Sequence, residues 1–296
     1  MSIDLGVITP AFLDLTFVGL EALPGPGEER YAGDLVRTPG GGAITAVAAA
    51  RLGLDTALVA PLGTDLAGDL VKRDLEDEGV TVGEFRCERT PQTVVMPVGG
   101  DRAMVTIDPG VRARAADLAA LAPVAVAAGL EQLPLIPDGT RAYVTCGDDD
   151  ARAVSGRLPP LDGVRALFLS GKDALVLTST GTVDDAADRL AEAAGTVMLT
   201  LDAPRVLCFV DGRRVELPEL DLGPVVDPTG DRDLLCAAFA WAELRGAGVE
   251  DAARWAHLYF RLAMRVPTAT GGAATLEQLL EVGDELGLAR PSKLRV

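Results

Sequence analysis

The chain has 296 residues and a mass of 30.7 kDa, and 48% of its residues are hydrophobic and 24% charged. A chain of this length and composition buries a core without help from disulfides or metals, so disorder is excluded for most of it. The 27 basic and 44 acidic residues give a net charge of 27 − 44 = −17, which repels nucleic acid and anionic lipid surfaces. We therefore expect neither a nucleic-acid partner nor a membrane partner.

The sequence shows no pattern of export or of a disulfide framework. Asp4 stands where a signal peptide carries positive charge, and the most apolar stretch, 118–130, is too short for a membrane span and contains Pro123. The cysteines are widely spaced and form no C-x-x-C pair: Cys87, Cys146, Cys208 and Cys236. These features predict a cytoplasmic protein with reduced thiols.

His257 is the only histidine of the chain. A single histidine excludes His-rich zinc sites. It also excludes Ser-His-Asp or Cys-His catalysis unless His257 is the catalytic histidine. It lies in a predicted helix over 250–266, where it shares one stripe with Arg254, Arg261 and Arg265. We expect this stripe to be a solvated polar face.

Hydrophobic periodicity predicts a βαβ unit at the start of the chain, with a strand over 3–8, an Ala-rich helix over 43–52 and a strand over 56–62. An amphipathic helix over 65–78 follows, with Thr64 placed to cap it. A hairpin without an attached helix comes next, with strands over 94–98 and 102–107.

The strand–helix alternation returns after residue 140, and the chain closes with three helices. Strands are predicted over 142–146, 164–170, 196–201, 206–210 and 213–217, and helices over 183–194, 232–245, 250–266 and 276–286. This rhythm predicts an α/β fold with a mostly parallel sheet and helices on both faces. Short Pro- and Gly-rich stretches favour one domain with an inserted antiparallel lid over two domains.

A glycine turn precedes the first predicted helix. Gly40, Gly41 and Gly42 permit close approach of a ligand to the backbone, and the free amides of the helix start attract anions or hydroxyls. The motif is not G-x-G-x-x-G, because Thr45 stands in the third glycine's place, and no Gly-Lys-Ser/Thr of a Walker loop follows. A tight turn that packs a helix against a strand explains the same residues.

A second turn, Asp227-Pro228-Thr229-Gly230-Asp231-Arg232-Asp233, leads into a helix that is apolar on most sides. Asp-Pro-x-Gly favours a type I turn, which brings amides and up to three carboxylates to the helix start. Three neighbouring carboxylates repel one another, so a fold tolerates them best where a cation or a hydroxyl group that needs a base shares the site. A site and an ordinary helix cap are equally compatible with this spacing.

In this order, the motifs resemble the ribokinase-like (PfkB) family of sugar kinases. The matching segments run nearly end to end: Asp14 after the first strand, Gly40–Gly42 before 46–53, then 63–68, 78–80, the hairpin around Gly100-Asp101-Arg102, and 227–233. The resemblance implies a three-layer α/β/α fold with a small β-lid, ATP and Mg²⁺ as cofactors, and phosphoryl transfer to a hydroxyl of a sugar or similar small molecule. It implies a single domain over 1–296, lid insertions at about 14–38 and 91–108, and a homodimer formed through the lid.

The resemblance also implies roles for individual residues. These are Asp233 as catalytic base; Gly230, Asp231 and Arg232 as anion hole; Asp14, Gly40, Gly41, Gly42 and Ile44 at the acceptor; Thr200, Asp202, Arg205 and Thr229 at the nucleotide; and Asp173 at the metal. A carboxylate held against an alcohol takes its proton as the phosphoryl group moves, while helix-start amides gather the charge on the transferring oxygens. For Asp14, an ordinary turn-capping role is the alternative.

Four departures from the family pattern keep a second hypothesis open. Asp231-Arg232 replaces Ala-Gly beside the anion hole, Ile44 replaces an acceptor-binding Asn, 200–205 lacks both glycines of T-x-G-x-x-G, and 170–173 keeps only the acid of N-x-x-E. The chain is therefore either an ATP-dependent small-molecule kinase with remodelled pockets or a kinase-fold protein that binds a ligand without phosphorylating it. A Rossmann-type dehydrogenase fits the sheet but lacks the fingerprint glycines after the first strand.

Overall fold

The structure is a computed structural model and describes residues 2–83, 86–99, 101–201 and 205–294. Its strands are β1 Leu5–Ile8, β2 Ala11–Val18, β3 Asp34–Gly41, β4 Thr56–Leu58, β5 Leu62–Gly63, β6 Thr81–Val82, β7 Arg86–Cys87, β8 Gln92–Val98, β9 Asp101–Ile107, β10 Ala125–Gly129, β11 Arg141–Cys146, β12 Val164–Ser170, β13 Thr196–Thr200, β14 Val206–Val210 and β15 Arg213–Val215. Its helices are α1 Gly42–Arg51, α2 Leu66–Asp77, α3 Ala115–Ala119, α4 Asp148–Val154, α5 Gly171–Thr178, α6 Val183–Ala191, α7 Asp231–Leu244, α8 Val249–Ala263, α9 Ala269–Gly272 and α10 Leu276–Glu285, with a 3₁₀ turn over Leu130–Leu135.

Nine strands form the central sheet, in the order β15-β14-β13-β12-β11-β10-β1-β4-β6. The run from β13 to β6 is parallel, whereas β14 and β15 add antiparallel strands at one edge. The predicted α/β fold with a largely parallel sheet is thereby confirmed.

Alternate residues of the strands pack against helices on opposite faces of this sheet. Ala166 and Phe168 of β12 join a core with α1, α7 and α8, whereas Leu167 and Leu169 join a second core with α5 and α6. Successive side chains of a strand point to opposite faces, so a strand buried on both sides reads as a continuous apolar run. The three layers follow from this packing.

A separate four-stranded sheet, in the order β3-β2-β8-β9, comes from the two chain regions that the sequence assigns to a lid. Its register places Asp14 beside Thr93 and Arg102 beside Pro97. Counting in steps of two along the paired strands puts Asp14, Thr93 and Arg102 on one face, which we call the inner face of the lid sheet. Thr93, like Asp14, is buried, so the part of this face on β2 and β8 is turned towards the rest of the molecule.

The structure corrects two details of the predicted elements. Asp65, not Thr64, caps α2, since its Oδ1 accepts the amide hydrogen of Gly68 at 2.9 Å. The small residues of β10 form an inner strand of the central sheet that the periodicity did not indicate. Helix boundaries otherwise differ from the predicted ones by only a few residues, as expected for frayed ends.

The polar stripe of α8 differs from its expected solvation. His257 and Arg261 are both buried, at 5% and 3% exposure. Nη2 of Arg261 donates to the carbonyl oxygen of Leu220 at 3.2 Å, because the segment between β15 and α7 covers this side of the helix. The expectation of a solvated face is wrong for these two residues.

Within the residues that the structure describes, no helix is both long enough and apolar enough to cross a bilayer.

Candidate active site

The N-termini of α1 and α7 meet beside the lid sheet. The N-cap of α7 is Gly230, at a position where only glycine fits. Gly230 has φ 76°, in the left-handed region, and a Cβ there would lie 2.6 Å from Cβ of Ala269 and 3.1 Å from the side chain of Ile44. In the described part of the chain, the N-cap residue Gly230 supplies no side-chain cap to this 14-residue helix. Uncapped amides at the start of a buried helix favour an anion or a developing negative charge.

Asp233 lies in the first turn of α7 and is oriented by α1. The hydroxyl of Thr45 donates to its Oδ1 at 3.0 Å. Burial raises the pKa of Asp233 to about 6, although the charge of Arg232 and the Thr45 hydrogen bond oppose that rise. The carboxylate is therefore ionised at neutral pH, yet its pKa is close enough to 7 for it to take and return a proton.

Asp14 lies on β2, at the inner face of the lid sheet, and is buried. The backbone of Gly40 packs directly against it, since a Cβ at position 40 would lie 2.2 Å from the carboxylate. Burial, together with the charges of Asp233 and Asp227, raises the pKa of Asp14 to about 7. A carboxyl group that is half protonated at neutral pH both donates and accepts hydrogen bonds, which suits contact with a hydroxyl.

Asp227 holds the turn that precedes α7. Its Oδ1 accepts the amide hydrogen of Thr229 at 2.9 Å, and its Oδ2 accepts that of Thr268 at 3.0 Å. The first bond closes the turn on itself, and the second links the turn to the start of α9, because Thr268 is the N-cap of that short helix. Asp227 is thus a structural carboxylate, and its charge contributes to the raised pKa of Asp14.

Asp231 occupies the helix start beside Asp233. The hydroxyl of Thr200, at the end of β13, donates to its Oδ2. Its Oδ1 lies 3.6 Å from Nε of Arg232 and 3.8 Å from Nη2 of Arg102 on β9. The carboxylate therefore lies between a hydroxyl and two guanidinium groups.

Arg232 and Asp173 form an ion pair at the same place. Nη1 of Arg232 donates to Oδ2 of Asp173 and to the carbonyl oxygen of Cys146, both at 2.9 Å. The same Oδ2 accepts the hydroxyl of Ser170 at 2.7 Å. Burial lowers the pKa of Arg232, but nearby carboxylates, with Asp231 the foremost, outweigh it and hold the pKa above its ordinary value.

This pairing bears on the Mg²⁺ that the resemblance implies. An oxygen that already accepts a hydroxyl and a guanidinium hydrogen has little capacity left for a metal, and the guanidinium repels a dication. The described residues contain no cluster of three or more His, Cys, Asp or Glu that could hold a metal ion. Asp173 does not fit as a direct ligand of Mg²⁺.

The remaining predicted residues are placed less centrally. Arg205 is exposed, and Asp202 lies outside the described residues. Oγ1 of Thr229 is buried and has no hydrogen-bond partner in the described part of the chain. Ile44 is buried in the core against Gly230, so it closes the α1–α7 contact.

The sequence thus singled out most of the residues that converge here, but it missed two contacts. Thr45 was read only as a departure from a glycine motif, and its bond to Asp233 spans 188 positions. Arg102 entered only as part of the hairpin motif. The sequence offered one signal for its role, a basic side chain on a predicted lid strand. Such a side chain reaches the site because the inner face of a lid covers the site.

A cavity of about 220 Å³ opens between the lid sheet and the turn before α7. Its lining includes Val18, Pro97 and Asp101 from the lid sheet and Val226, Asp227 and Pro267 from the body. This volume has room for a small polar molecule beside the carboxylates of Asp101 and Asp227.

Comparisons with known proteins agree with this fold. A family model described as pfkB family carbohydrate kinase matches residues 11–276. A probable sugar kinase from Rhizobium etli CFN 42 superposes with a TM-score of 0.77 at 18% identity, covering 98% of this chain and 100% of that chain. Adenosine kinase from Sinorhizobium meliloti gives 0.75 at 19% identity, covering 97% and 100%. Ribokinase from Arabidopsis thaliana, complexed with ribose and ATP, gives 0.74 at 22% identity, covering 95% and 99%.

Proposed function

Because the chain belongs to the pfkB family of carbohydrate kinases, we propose that it transfers a phosphoryl group from ATP to a hydroxyl of a sugar or a related small molecule. The observation that carries this proposal is the position of Asp233. Its carboxylate lies at the uncapped start of α7, is oriented by Thr45 and has a pKa of about 6. A base in that state, at the start of a helix whose N-cap glycine has no capping side chain, suits the phosphorylation of an alcohol.

In the proposed reaction, Asp233 accepts the proton of the acceptor hydroxyl. Asp14 orients that acceptor through a second carboxyl group on the lid sheet, where Gly40 leaves room for it. The first-turn amides of α7, from Gly230 to Asp233, stabilise the negative charge that develops on the transferring oxygens. ATP supplies the phosphoryl group when it is bound. No step is assigned to a metal held by this chain, since Asp173 is paired with Arg232.

A second candidate function rests on Asp231. A carboxylate in the first turn of α7 repels an incoming phosphate, so a protein that binds a ligand without phosphorylating it also fits the site. This candidate predicts a metabolite that raises the melting temperature but gives no product.

The test is ADP release from ATP in the presence of individual sugars, nucleosides and sugar phosphates. We expect one acceptor class to stimulate release, and Asp233→Asn to lower turnover by about 10²–10⁴-fold while an acceptor still raises the melting temperature. Asp184→Asn is the matched control, because Asp184 also lies in a helix first turn but is exposed. Absence of acceptor-dependent ADP release across the panel contradicts the kinase proposal, and a stabilising ligand without product supports the second candidate.

A further inference from the structure

Arg102 has an unusual set of contacts for a mostly covered guanidinium. Its side chain is 17% exposed, and its guanidinium donates no hydrogen bond to any residue that the structure describes. Its nearest carboxylate oxygens are Oδ1 of Asp101 at 3.6 Å and Oδ1 of Asp231 at 3.8 Å, both beyond hydrogen-bond distance. A guanidinium has five donors, so this side chain has the capacity to bind a further anion.

The carboxylate opposite is also incompletely bonded. Asp231 is 8% exposed, and its Oδ1 accepts no hydrogen bond from the described residues. Its other oxygen accepts the hydroxyl of Thr200. A buried carboxylate oxygen that accepts no hydrogen bond lowers the stability of the folded protein. This cost indicates that another state of the protein uses these charged groups.

The groups around Asp231 are those that bind a phosphoryl group. They are a hydroxyl from Thr200, guanidinium groups from Arg102 and Arg232, and the uncapped start of α7. Arginine forks and helix N-termini both match the geometry of phosphate oxygens. Asp231 therefore places a negative charge where these groups would otherwise receive a phosphate.

The strand register explains how Arg102 reaches this place. On β9 it is paired with Pro97 and lies on the inner face of the lid sheet, which also carries Asp14. The contact with Asp231 therefore joins the lid sheet to α7. A second ion pair, between Lys172 and Asp101 at 3.5 Å, joins the same hairpin to α5 and is connected to Arg102 only through the other oxygen of Asp101.

We propose that Arg102 is a phosphate-binding residue of this chain. The Asp231 carboxylate occupies the position beside Arg102 until a phosphoryl group displaces it. The inference deepens the proposed kinase function, because it assigns a lid residue to the phosphoryl group. A phosphoryl dianion offers Arg102 the short charge-assisted hydrogen bonds that Asp231 does not give at 3.8 Å. Asp231 competes with that anion, so this chain binds phosphate more weakly than its cationic groups permit.

Binding measured by calorimetry in the absence of an acceptor alcohol tests the inference. Tripolyphosphate represents the end of a nucleotide, and fructose 6-phosphate represents a phosphorylated acceptor, so the two probes separate the two sources of the phosphoryl group. We expect Asp231→Asn to tighten binding of at least one probe by about tenfold and Arg102→Gln to weaken it by about tenfold. In the double variant Asp231→Asn/Arg102→Gln, most of the affinity gained through Asp231→Asn should be lost.

Lys172→Gln provides the matched control. It also removes one cation from the junction between hairpin and body, but from a side chain that is 81% exposed and pairs with Asp101. We expect it to change affinity by less than about twofold, because exposed pairs are well screened. Circular dichroism and thermal unfolding of each variant show whether the fold is retained.

Several outcomes overturn the inference. They are equal losses from Arg102→Gln and Lys172→Gln, no gain from Asp231→Asn in a folded protein, or no binding of either probe to any variant. Its failure is distinguishable from failure of the kinase proposal. Arg102-dependent probe binding without ADP release sustains the inference and contradicts the kinase proposal, whereas acceptor-dependent ADP release that is insensitive to Arg102→Gln does the reverse.

Discussion

The hydroxyl of Thr45 lies 3.0 Å from Oδ1 of Asp233 and joins the first turns of α1 and α7. One bond thus couples the glycine turn that starts α1 to the carboxylate proposed as the base. A hydrogen bond to the charged form of a carboxyl group favours ionisation, and here it lowers the pKa of Asp233 against the larger effect of burial. Thr45 is therefore a positioning residue that acts through Asp233.

We predict that Thr45→Val raises the pKa of Asp233 and lowers turnover by about tenfold at pH 7, because the carboxylate loses a hydrogen bond of about 1 kcal/mol or more. Valine matches threonine in shape, so packing of α1 against α7 should persist. The pH profile of kcat/KM then shifts to higher pH. Thr45→Ser keeps the hydroxyl and should restore most of the profile; a loss of rate in Thr45→Val with an unshifted profile would point to a packing role instead.

The rate of the wild-type protein should depend on the ionisation of Asp233. The base must be ionised to accept a proton, and burial raises its pKa to about 6. We therefore predict that kcat/KM rises with pH up to about 6 and levels off above about 7. Asp184→Asn should leave this profile unchanged, whereas a flat profile between pH 5 and 7 in the wild type would remove Asp233 as the base.

Asp14 should make stability fall as pH rises. Burial and the charges of Asp233 and Asp227 raise its pKa from 3.8 to about 7, so the folded state favours the protonated form. The stability associated with this group is full below about pH 4 and is lost as pH rises through about 7. Asp14→Asn cannot ionise, so its stability relative to wild type should grow over that window and then level off, at about 2–4 kcal/mol.

Chemical denaturation of both proteins at pH 4, 6 and 8 measures this difference. The acceptor-dependent rate of Asp14→Asn provides an independent readout, because this substitution also removes the carboxyl group that is proposed to orient the acceptor. A stability difference that stays constant across the three pH values would mean that Asp14 titrates normally in the folded protein.

Much of the fold follows from local patterns. The Asp-Pro-x-Gly turn and the apolar run after Gly230 placed the start of α7 within one residue, and alternation of strands and helices gave the parallel sheet. The strand β10 was missed because Ala125–Gly129 is rich in alanine, whose pattern does not separate a buried strand from a helix. This segment is a strand because it pairs with β1 on one side and with β11 on the other.

The site was less predictable, because its decisive contacts join distant positions. The acid of Asp173 matches a metal-binding motif, yet Arg232, which is 59 positions away, pairs with it. Local sequence shows that an arginine replaces a glycine, but not where its guanidinium lies. The same holds for Arg102 and Asp231, which meet only because the lid sheet folds over α7.

The outer face of the lid sheet leads to the last prediction, the homodimer implied by the family resemblance. The register pairs Val94 with Val105 on the face opposite to Arg102, and Val105 and Ile107 are exposed on the edge strand β9. Met104, the neighbour of Val105 on β9, pairs with Val95 and lies on the inner side. An exposed apolar edge strand favours pairing with another copy. We predict a mass near twice the 30.7 kDa of one chain by light scattering.

Val105→Lys should shift this mass towards that of one chain, because the lysine places a charge within the apolar contact. Met104→Lys introduces the same charge on the same strand but on the other face, so it should leave the mass unchanged. If both variants dissociate the protein equally, general repulsion at β9 accounts for the effect and the outer face is not the interface. A wild-type mass near 30.7 kDa at every concentration would contradict the dimer itself.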